Sequence, residues 1–159
     1  MSLTNFERML HLASDIFDSK NDSTQLDVNE KIMKRLQRLH PATLSEYDDG
    51  KGPVAWILLI PTSLDLMNRF INKKITENEL LDLTKPDSTY EAIYLCSAMV
   101  LEEYRRKGIA KKLTLDAIES IRKKHPIKSL FVWPFTAEGN AGADAIAKIT
   151  GLPLLKRKD

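Results

Sequence analysis

The chain has 159 residues, the length of one compact domain, so we predict a single domain over residues 1–159. Hydrophobic residues make up 43% of the chain and charged residues 29%, which excludes an intrinsically disordered protein. The net charge of +2 is too small to indicate a nucleic-acid or membrane-surface binder. The first residues lack a signal-peptide pattern, and no apolar stretch approaches the roughly 20 residues of a membrane span. A single cysteine, Cys96, cannot form an internal disulfide, and we expect a cytoplasmic protein.

The first part of the chain predicts two helices and a hairpin. Apolar residues recur at helical spacing over Asn5 to Asp18, and again from about Asp27 until Pro41 stops the second helix. Two strand-like runs follow, Thr43 to Asp48 and Pro53 to Thr62, joined by a glycine-rich turn. The second run is almost wholly apolar, so we predict a central strand covered on both faces.

The rest of the chain predicts a helical insertion followed by alternating strands and helices. Ser63 to Lys74 has helical spacing, and Thr76 and Glu79 have the spacing of a capping box that begins a short helix. The elements after the insertion are a strand over Tyr90 to Leu101, a helix over Gly108 to Lys124, a strand over Ser129 to Trp133, a helix over Ala141 to Thr150 and a strand over Leu152 to Leu155. This order predicts an α/β or α+β domain.

A basic segment lies where a predicted strand enters a long amphipathic helix. The first N–H groups of a helix are unpaired and lie at the positive end of its dipole, so this position suits a phosphate or pyrophosphate. Gly108 and Ala110 leave room for a close approach, and Arg105, Arg106 and Lys107 add positive charge. The alternative is that these cations form a solvated helix face and that Gly108 only makes a turn.

This segment resembles the coenzyme A pyrophosphate loop of the GNAT N-acetyltransferase superfamily. The family pattern of Arg or Gln, two residues, Gly, one residue, then Gly or Ala is filled by Arg105, Gly108 and Ala110. The flanking positions match at Val100, Tyr104 and Leu113. A second family motif is matched downstream by Asn140, Ala143, Ile146, Gly151 and Leu152.

The resemblance implies a GNAT-like mixed central sheet with an N-terminal helix pair, and the sequence adds a helical insertion between the middle strands. It implies transfer of an acyl group, most simply acetyl, from acetyl-coenzyme A or another acyl-coenzyme A to an amine. A backbone N–H near Val100 would stabilise the oxyanion. The implied coenzyme A site consists of Met99, Val100, Arg105, Arg106, Lys107, Gly108, Ile109, Ala110 and Asn140.

Candidate catalytic side chains lie on the strand before this loop. The two-residue period of a strand places Tyr94, Cys96 and Ala98 on one face, and Ser97 and Met99 on the other. Cys96 is an acid, a nucleophile or an ordinary core residue, and Tyr94 has the same alternatives. At the end of the next strand, Trp133, Pro134 and Phe135 line an apolar acyl or acceptor pocket or belong to the core.

Two departures from the family pattern affect the predicted function. Ala147 stands where the family very often has a Tyr that protonates the departing thiolate, so the alternative function is a non-catalytic acyl-coenzyme A binding or interaction module. The insertion from Ser63 to Ser88 replaces a tight turn, and we expect it to rebuild part of the substrate wall. Its acids, which include Glu77, Glu79 and Asp82, either favour a cationic acceptor or form a solvated helix face and cap.

The expected partners are a small-molecule or peptide amine acceptor and a second copy of the chain in a homodimer. Nucleic acid and membrane are not expected. The cations between Arg105 and Lys128 are scattered around an amphipathic helix with no aromatic stacking platform between them. The three histidines lack the spacing of metal ligands, so we predict no metal site.

Overall fold

The computed structural model describes residues 3–20, 30–134 and 136–158. Its helices are α1 (Asn5–Lys20), α2 (Glu30–Leu39), α3 (Leu64–Ile71), α4 (Glu77–Leu83), α5 (Ile109–Arg122) and α6 (Ala137–Thr150). Its strands are β1 (Leu44–Asp48), β2 (Pro53–Thr62), β3 (Ala92–Val100), β4 (Ser129–Val132) and β5 (Leu154–Lys156). Short 3-10 turns, Pro41–Thr43 and Glu102–Tyr104, precede β1 and follow β3. The types and order of the predicted elements are confirmed, while the predicted start of the second helix at Asp27 lies outside the described residues.

The five strands form one mixed sheet in the order β1-β2-β3-β4-β5. β2 pairs antiparallel with β1 and with β3, whereas β4 pairs parallel with β3 and with β5. β2 lies inside the sheet, and only Trp56 among its residues escapes full burial, as its apolar run predicts. The mixed α/β sheet with N-terminal helices and the α3–α4 insertion is therefore confirmed. No helix in the described part of the chain is long and apolar enough to span a bilayer.

The helices cover the two faces of the sheet differently. On one face, Met9 of α1 packs against Val54 and Met99, and the hydroxyls of Thr62 and Thr84 share a hydrogen bond of 2.7 Å at the end of α4. Met99 pairs with Trp56, and Trp56 and Thr62 are six positions apart on β2, so α1 and the α3–α4 insertion lie on the same face. On the other face, a 2.9 Å ion pair joins Lys156 of β5 to α6.

Capping explains where two helices begin. The Thr76 hydroxyl accepts the Glu79 N–H at 3.1 Å, and the Glu79 carboxylate accepts the Thr76 N–H at 3.0 Å, so the predicted capping box is confirmed. The predicted start of the last helix at Ala141 is wrong. The Thr136 hydroxyl accepts the Gly139 N–H at 2.9 Å, and α6 therefore begins at Ala137 despite its glycines.

Candidate active site

The parallel strands β3 and β4 separate part-way along their length. Their pairing ends where Tyr94 lies beside Phe131, although β3 continues to Val100. β4 ends at Val132, so the second half of β3 has β2 on one side and no strand on the other. Backbone groups along that free edge are thus available to a ligand lying between the two strands. We call the space beside this free edge of β3, beyond the end of β4, the wedge.

A bulge in β3 changes which side chains share a face. Ser97 pairs with Leu58 and Leu95 pairs with Leu59, so Cys96 is the extra residue of a β-bulge. Leu58 and Ile60 are two positions apart on β2, so their partners Ser97 and Tyr94 lie on the same face, and Ala98 lies on the opposite face. The sequence-based grouping of Tyr94 with Ala98 is therefore wrong, because a strict two-residue period does not hold across a bulge. Cys96 and Ser97 are both partly exposed at this point.

The backbone of Val100 is directed towards the free edge of β3. Val100 lies opposite Ala55, and the next residue, Leu101, donates its N–H to the Val54 carbonyl at 2.9 Å. This pattern makes Val100 and Ala55 a non-hydrogen-bonded pair, so the N–H and C=O of Val100 point away from β2. The Arg105 Nε donates to the Val100 carbonyl at 3.0 Å and holds this orientation.

The segment from Arg105 to Ala110, which we call the anion loop, leads into α5 with an unusual backbone. Arg106 has a φ of +64° and Gly108 a φ of +76°, so two left-handed residues stand one residue apart. Such alternation turns successive N–H groups towards a common point, and a left-handed conformation in a non-glycine residue costs roughly 1 kcal/mol. No side chain caps α5, and its first turn contains no acid.

The anion loop has hydrogen-bond donors to spare. Among the described residues, no acceptor is present for the backbone N–H groups of residues 106–111. A Cβ added at Gly108 would meet no atom within 4 Å, so the space in front of the loop is open. Unpaired N–H groups, the positive end of the α5 dipole and exposed cations together suit an anion.

The family follows from a comparison with known proteins. Residues 6–151 match the profile described as "Acetyltransferase (GNAT) family". The chain belongs to the GNAT family. Among solved structures it is similar to "The NatB Acetyltransferase Complex Bound To bisubstrate inhibitor", with a TM-score of 0.50 and 14% identity, covering 85% of this chain and 68% of that one. This likeness concerns the fold alone, and no curated protein matches the chain significantly.

Tyr94 of this GNAT chain is fully buried at the base of the wedge. Its ring packs 4.9 Å from the Phe70 ring and 5.0 Å from the Phe131 ring. Its hydroxyl donates to the Glu77 carboxylate at 2.6 Å, and Glu77 is itself only 4% exposed. Burial raises the pKa of Tyr94 well above its usual range, and the Glu77 charge raises it further. The hydroxyl therefore stays protonated and engaged with α4.

The β4 side of the wedge is filled by an aromatic and cationic stack. Trp133 is 8% exposed and lies edge-on to Phe70 at 6.1 Å. The Arg157 guanidinium lies 4.5 Å from both ring centroids and donates to the Ile75 carbonyl at 3.0 Å. Trp133 is thus a packed wall rather than an open pocket, and Phe135 lies outside the described residues.

Two residues singled out by the GNAT resemblance lie on α6. Asn140 is in its first turn, where its N–H donates to the Thr136 carbonyl at 3.0 Å. Ala147 is partly buried and packs against the main core. A methyl group has no proton to donate, so the Ala147 side chain contributes packing at this position.

Sequence reasoning missed Arg157 and the burial of Glu77. Arg157 stands near the end of the chain in a run of cations, and no local signal distinguishes it from a solvated residue. Glu77 is recognisable as a first-turn acid of α4, but its contact with Tyr94 joins residues 17 positions apart. The acids of the insertion separate in the structure, because Glu79 caps α4 and Asp82 pairs with Arg35 at 2.9 Å.

Two of the three histidines, His40 and His125, form a pair. The rings of His40 and His125 lie 6.1 Å apart, and each Nδ1 accepts a backbone N–H, from Ala42 at 3.0 Å and from Tyr90 at 3.2 Å. Within residues 3–20, 30–134 and 136–158, no group of three or more His, Cys, Asp or Glu residues could hold a metal ion.

Proposed function

We propose that the protein transfers an acetyl group from acetyl-coenzyme A, or another acyl group from its coenzyme A thioester, to an amine. The observation that carries the proposal is the anion loop at the mouth of the wedge. It offers unpaired N–H groups in a strained, open backbone where a diphosphate fits. GNAT family membership supports the same chemistry. We infer that residues 1–159 form a single domain and that the protein is cytoplasmic.

The proposed coenzyme A site begins at the anion loop. The backbone N–H groups of Arg106 to Ala110, including those of Lys107, Gly108 and Ile109, bind the pyrophosphate, and the exposed cations add attraction. Arg105 contributes its remaining guanidinium N–H groups, since its Nε is already bonded to Val100. The pantetheine arm follows the free edge of β3 past Met99 and Val100. Asn140 faces the arm from the first turn of α6.

The proposed reaction uses the free edge of β3 for positioning. The neutral amine attacks the thioester carbonyl carbon, a C–N bond forms, and the C–S bond breaks as the thiolate departs. The Val100 N–H donates to the developing oxyanion, as its direction away from β2 allows. The nitrogen of the attacking amine loses one proton to give the amide, and the thiolate gains one proton. Most of the rate enhancement comes from holding the two reactants together.

The thiolate needs a proton source that Ala147 cannot supply. Cys96 is the better placed of the two catalytic candidates, because it lies at the bulge on the free edge and is partly exposed. Tyr94 is fully buried and donates to Glu77, so its hydroxyl has to leave that carboxylate before it can reach a thiolate. Water is the third source.

The second candidate function is a non-catalytic acyl-coenzyme A binding or interaction module. The specific observation that favours it is Ala147, which lies on α6 and packs against the main core at the position where the family often has the acid. Such a module would bind coenzyme A through the anion loop and release no thiol. Binding and turnover therefore separate the two functions.

The test combines calorimetry with a thiol-release assay. Isothermal titration measures coenzyme A binding, and free thiol is then followed from acetyl-coenzyme A across small amines and peptides with free N-termini. The peptide arm is included because the fold is similar to a NatB complex bound to a bisubstrate inhibitor. Amine-dependent thiol release supports the transferase, binding without release supports the module, and no binding contradicts both. Analytical ultracentrifugation tests the homodimer.

A further inference from the structure

The turn that precedes the anion loop is bound to α1 by a bidentate ion pair. Arg8 donates from Nη1 and Nη2 to the two carboxylate oxygens of Glu103, at 2.7 and 2.6 Å. Two parallel N–H···O bonds fix the orientation of the carboxylate as well as its distance. The hydrogen bond from Arg8 lowers the pKa of Glu103 to about 2, so the pair stays ionised near neutral pH.

The adjacent residue is bound to the turn between β1 and β2. The Tyr104 hydroxyl donates to the Asp49 carboxylate. The same carboxylate accepts the Asn5 side-chain amide at 3.2 Å and the Lys51 N–H at 2.8 Å. Lys107 of the anion loop lies with its Nζ 5.5 Å from the centre of the Tyr104 ring. Tyr104 is therefore tied to the hairpin turn and, through Asn5, to α1.

α1 also contacts the strand that leads to the anion loop. Met9 is fully buried in a small cluster with Val54, Met99 and Leu101. Consecutive residues of α1, Arg8 and Met9, thus contact the segment just before the loop and the end of β3. A displacement of α1 would change both contacts together.

We propose that α1 is a positioning strap that holds the anion loop in its binding geometry through the Arg8–Glu103 and Tyr104–Asp49 contacts. This inference rests on the proposed function, since it makes these residues positioning residues for the coenzyme A site. A loop fixed before binding loses less conformational freedom when the pyrophosphate arrives. Because both contacts are exposed, each contributes a few-fold to affinity rather than deciding it.

The first experiment measures coenzyme A affinity by titration calorimetry in full-length Arg8→Gln and Glu103→Gln variants. Each raises Kd about threefold, and the double variant raises it no further, because both substitutions remove one shared interaction. The charge swap, Arg8→Glu with Glu103→Arg, recovers affinity. In the transferase assay these variants raise the KM for acetyl-coenzyme A and leave kcat unchanged at saturation.

A matched control removes an arginine ion pair elsewhere. Arg35→Gln breaks the Arg35–Asp82 pair of 2.9 Å, in which the arginine side chain is 37% exposed, against 35% for Arg8. We expect no change in Kd for this variant. The second contact is tested by Tyr104→Phe, which keeps the ring beneath Lys107 and removes only the hydroxyl, with Asp49→Asn as its counterpart.

The outcomes separate the strap from the proposed function. If the Arg8 and Tyr104 variants raise Kd no more than Arg35→Gln, or if the charge swap weakens binding further, the strap is wrong. If the wild-type protein does not bind coenzyme A, the proposed function fails, and hydrogen exchange still tests the strap. The N–H groups of Tyr104 and Arg105 donate to the Leu101 and Glu102 carbonyls, and they exchange faster in Arg8→Gln than in Arg35→Gln if the strap exists. Equal exchange overturns it.

Discussion

Two charged segments have opposite relations to their surroundings. In the anion loop, backbone donors lack acceptors among the described residues, and Arg106 holds a left-handed conformation. In the α3–α4 insertion, Glu77 accepts from Tyr94, Glu79 caps its own helix and Asp82 pairs with Arg35. The comparison shows that charge in a sequence marks function only where the fold leaves polar groups unsatisfied. These contacts favour a structural role for Glu79 and Asp82.

The largest effect is expected from a carboxylate inside the anion loop. Gly108→Glu places a negative charge and a side chain where the N–H groups converge, and we expect coenzyme A affinity to fall at least about 100-fold. Calorimetry measures the loss. Gly151→Glu is the matched control, because Gly151 also has a positive φ, +74°, and open surroundings, but it lies at the C-terminal end of α6. If both variants bind normally, the loop is a solvated helix face.

An acid restored at position 147 tests the missing proton donor. We expect Ala147→Tyr to raise turnover by about 10²-fold, the lower range for a positioned general acid, with an unchanged Kd for coenzyme A. Ala147→Phe is the control, since it adds the ring without the hydroxyl. Thermal denaturation measures the overpacking that both rings cause at this half-buried position. Equal turnover in the Tyr and Phe variants would show that thiolate protonation is not limiting.

The buried pair of the insertion predicts an effect on stability. Glu77→Ala leaves the Tyr94 hydroxyl without its acceptor, and we expect a loss of about 1–3 kcal/mol in the free energy of unfolding. Tyr94→Phe in the Glu77→Ala background should recover part of this loss, because no unsatisfied hydroxyl then remains. Urea denaturation of the wild type, the two single variants and the double variant gives the interaction free energy between Glu77 and Tyr94. Additive losses would mean that the two groups do not interact.

The histidine pair predicts a decline in stability below neutral pH. Burial lowers the pKa of both His40 and His125 below the ordinary value of 6.5, and the nearby charges of His125 and Lys124 lower the pKa of His40 further. The unfolded chain therefore binds protons first, and stability falls as the pH drops below about 6.5. Melting temperatures from pH 8 to about 5 measure this, and His125→Gln should flatten the decline. The exposed His11 provides the control His11→Gln, which should retain it.

The smallest effect is expected from the exposed acids of the insertion. Neutralising Glu79 and Asp82 to Gln and Asn should change the KM for an amine acceptor less than about twofold, because each charge already has a partner. Coenzyme A affinity should not change. Steady-state kinetics at low and high salt measure the effect. A large salt-dependent rise in KM would instead show that the insertion attracts a cationic acceptor.

Local features of the chain were predictable from the sequence because they depend on neighbouring residues. The helices, the hairpin and the capping box at Thr76 follow from periodicity, turn residues and short-range hydrogen bonds. The GNAT family was suggested by the resemblance of two motifs and is confirmed by the family match, and helical periodicity placed the anion loop before α5. The start of α6 is also marked in the sequence, since Thr136 is an ordinary N-cap residue.

The tertiary structure decided the features that depend on strand register and on contacts between residues far apart in the chain. The bulge at Cys96 places Ser97 and Met99 on the face of Tyr94, and nothing in the local sequence marks a bulge at this position. The wedge exists because β4 ends at Val132 while β3 continues to Val100. Arg157 reaches the rings of Phe70 and Trp133 because β5 pairs with β4, which brings together residues that are far apart in the chain. A linear pattern carries the conformational preference of each segment, but the pairing between segments depends on the packing of the whole domain.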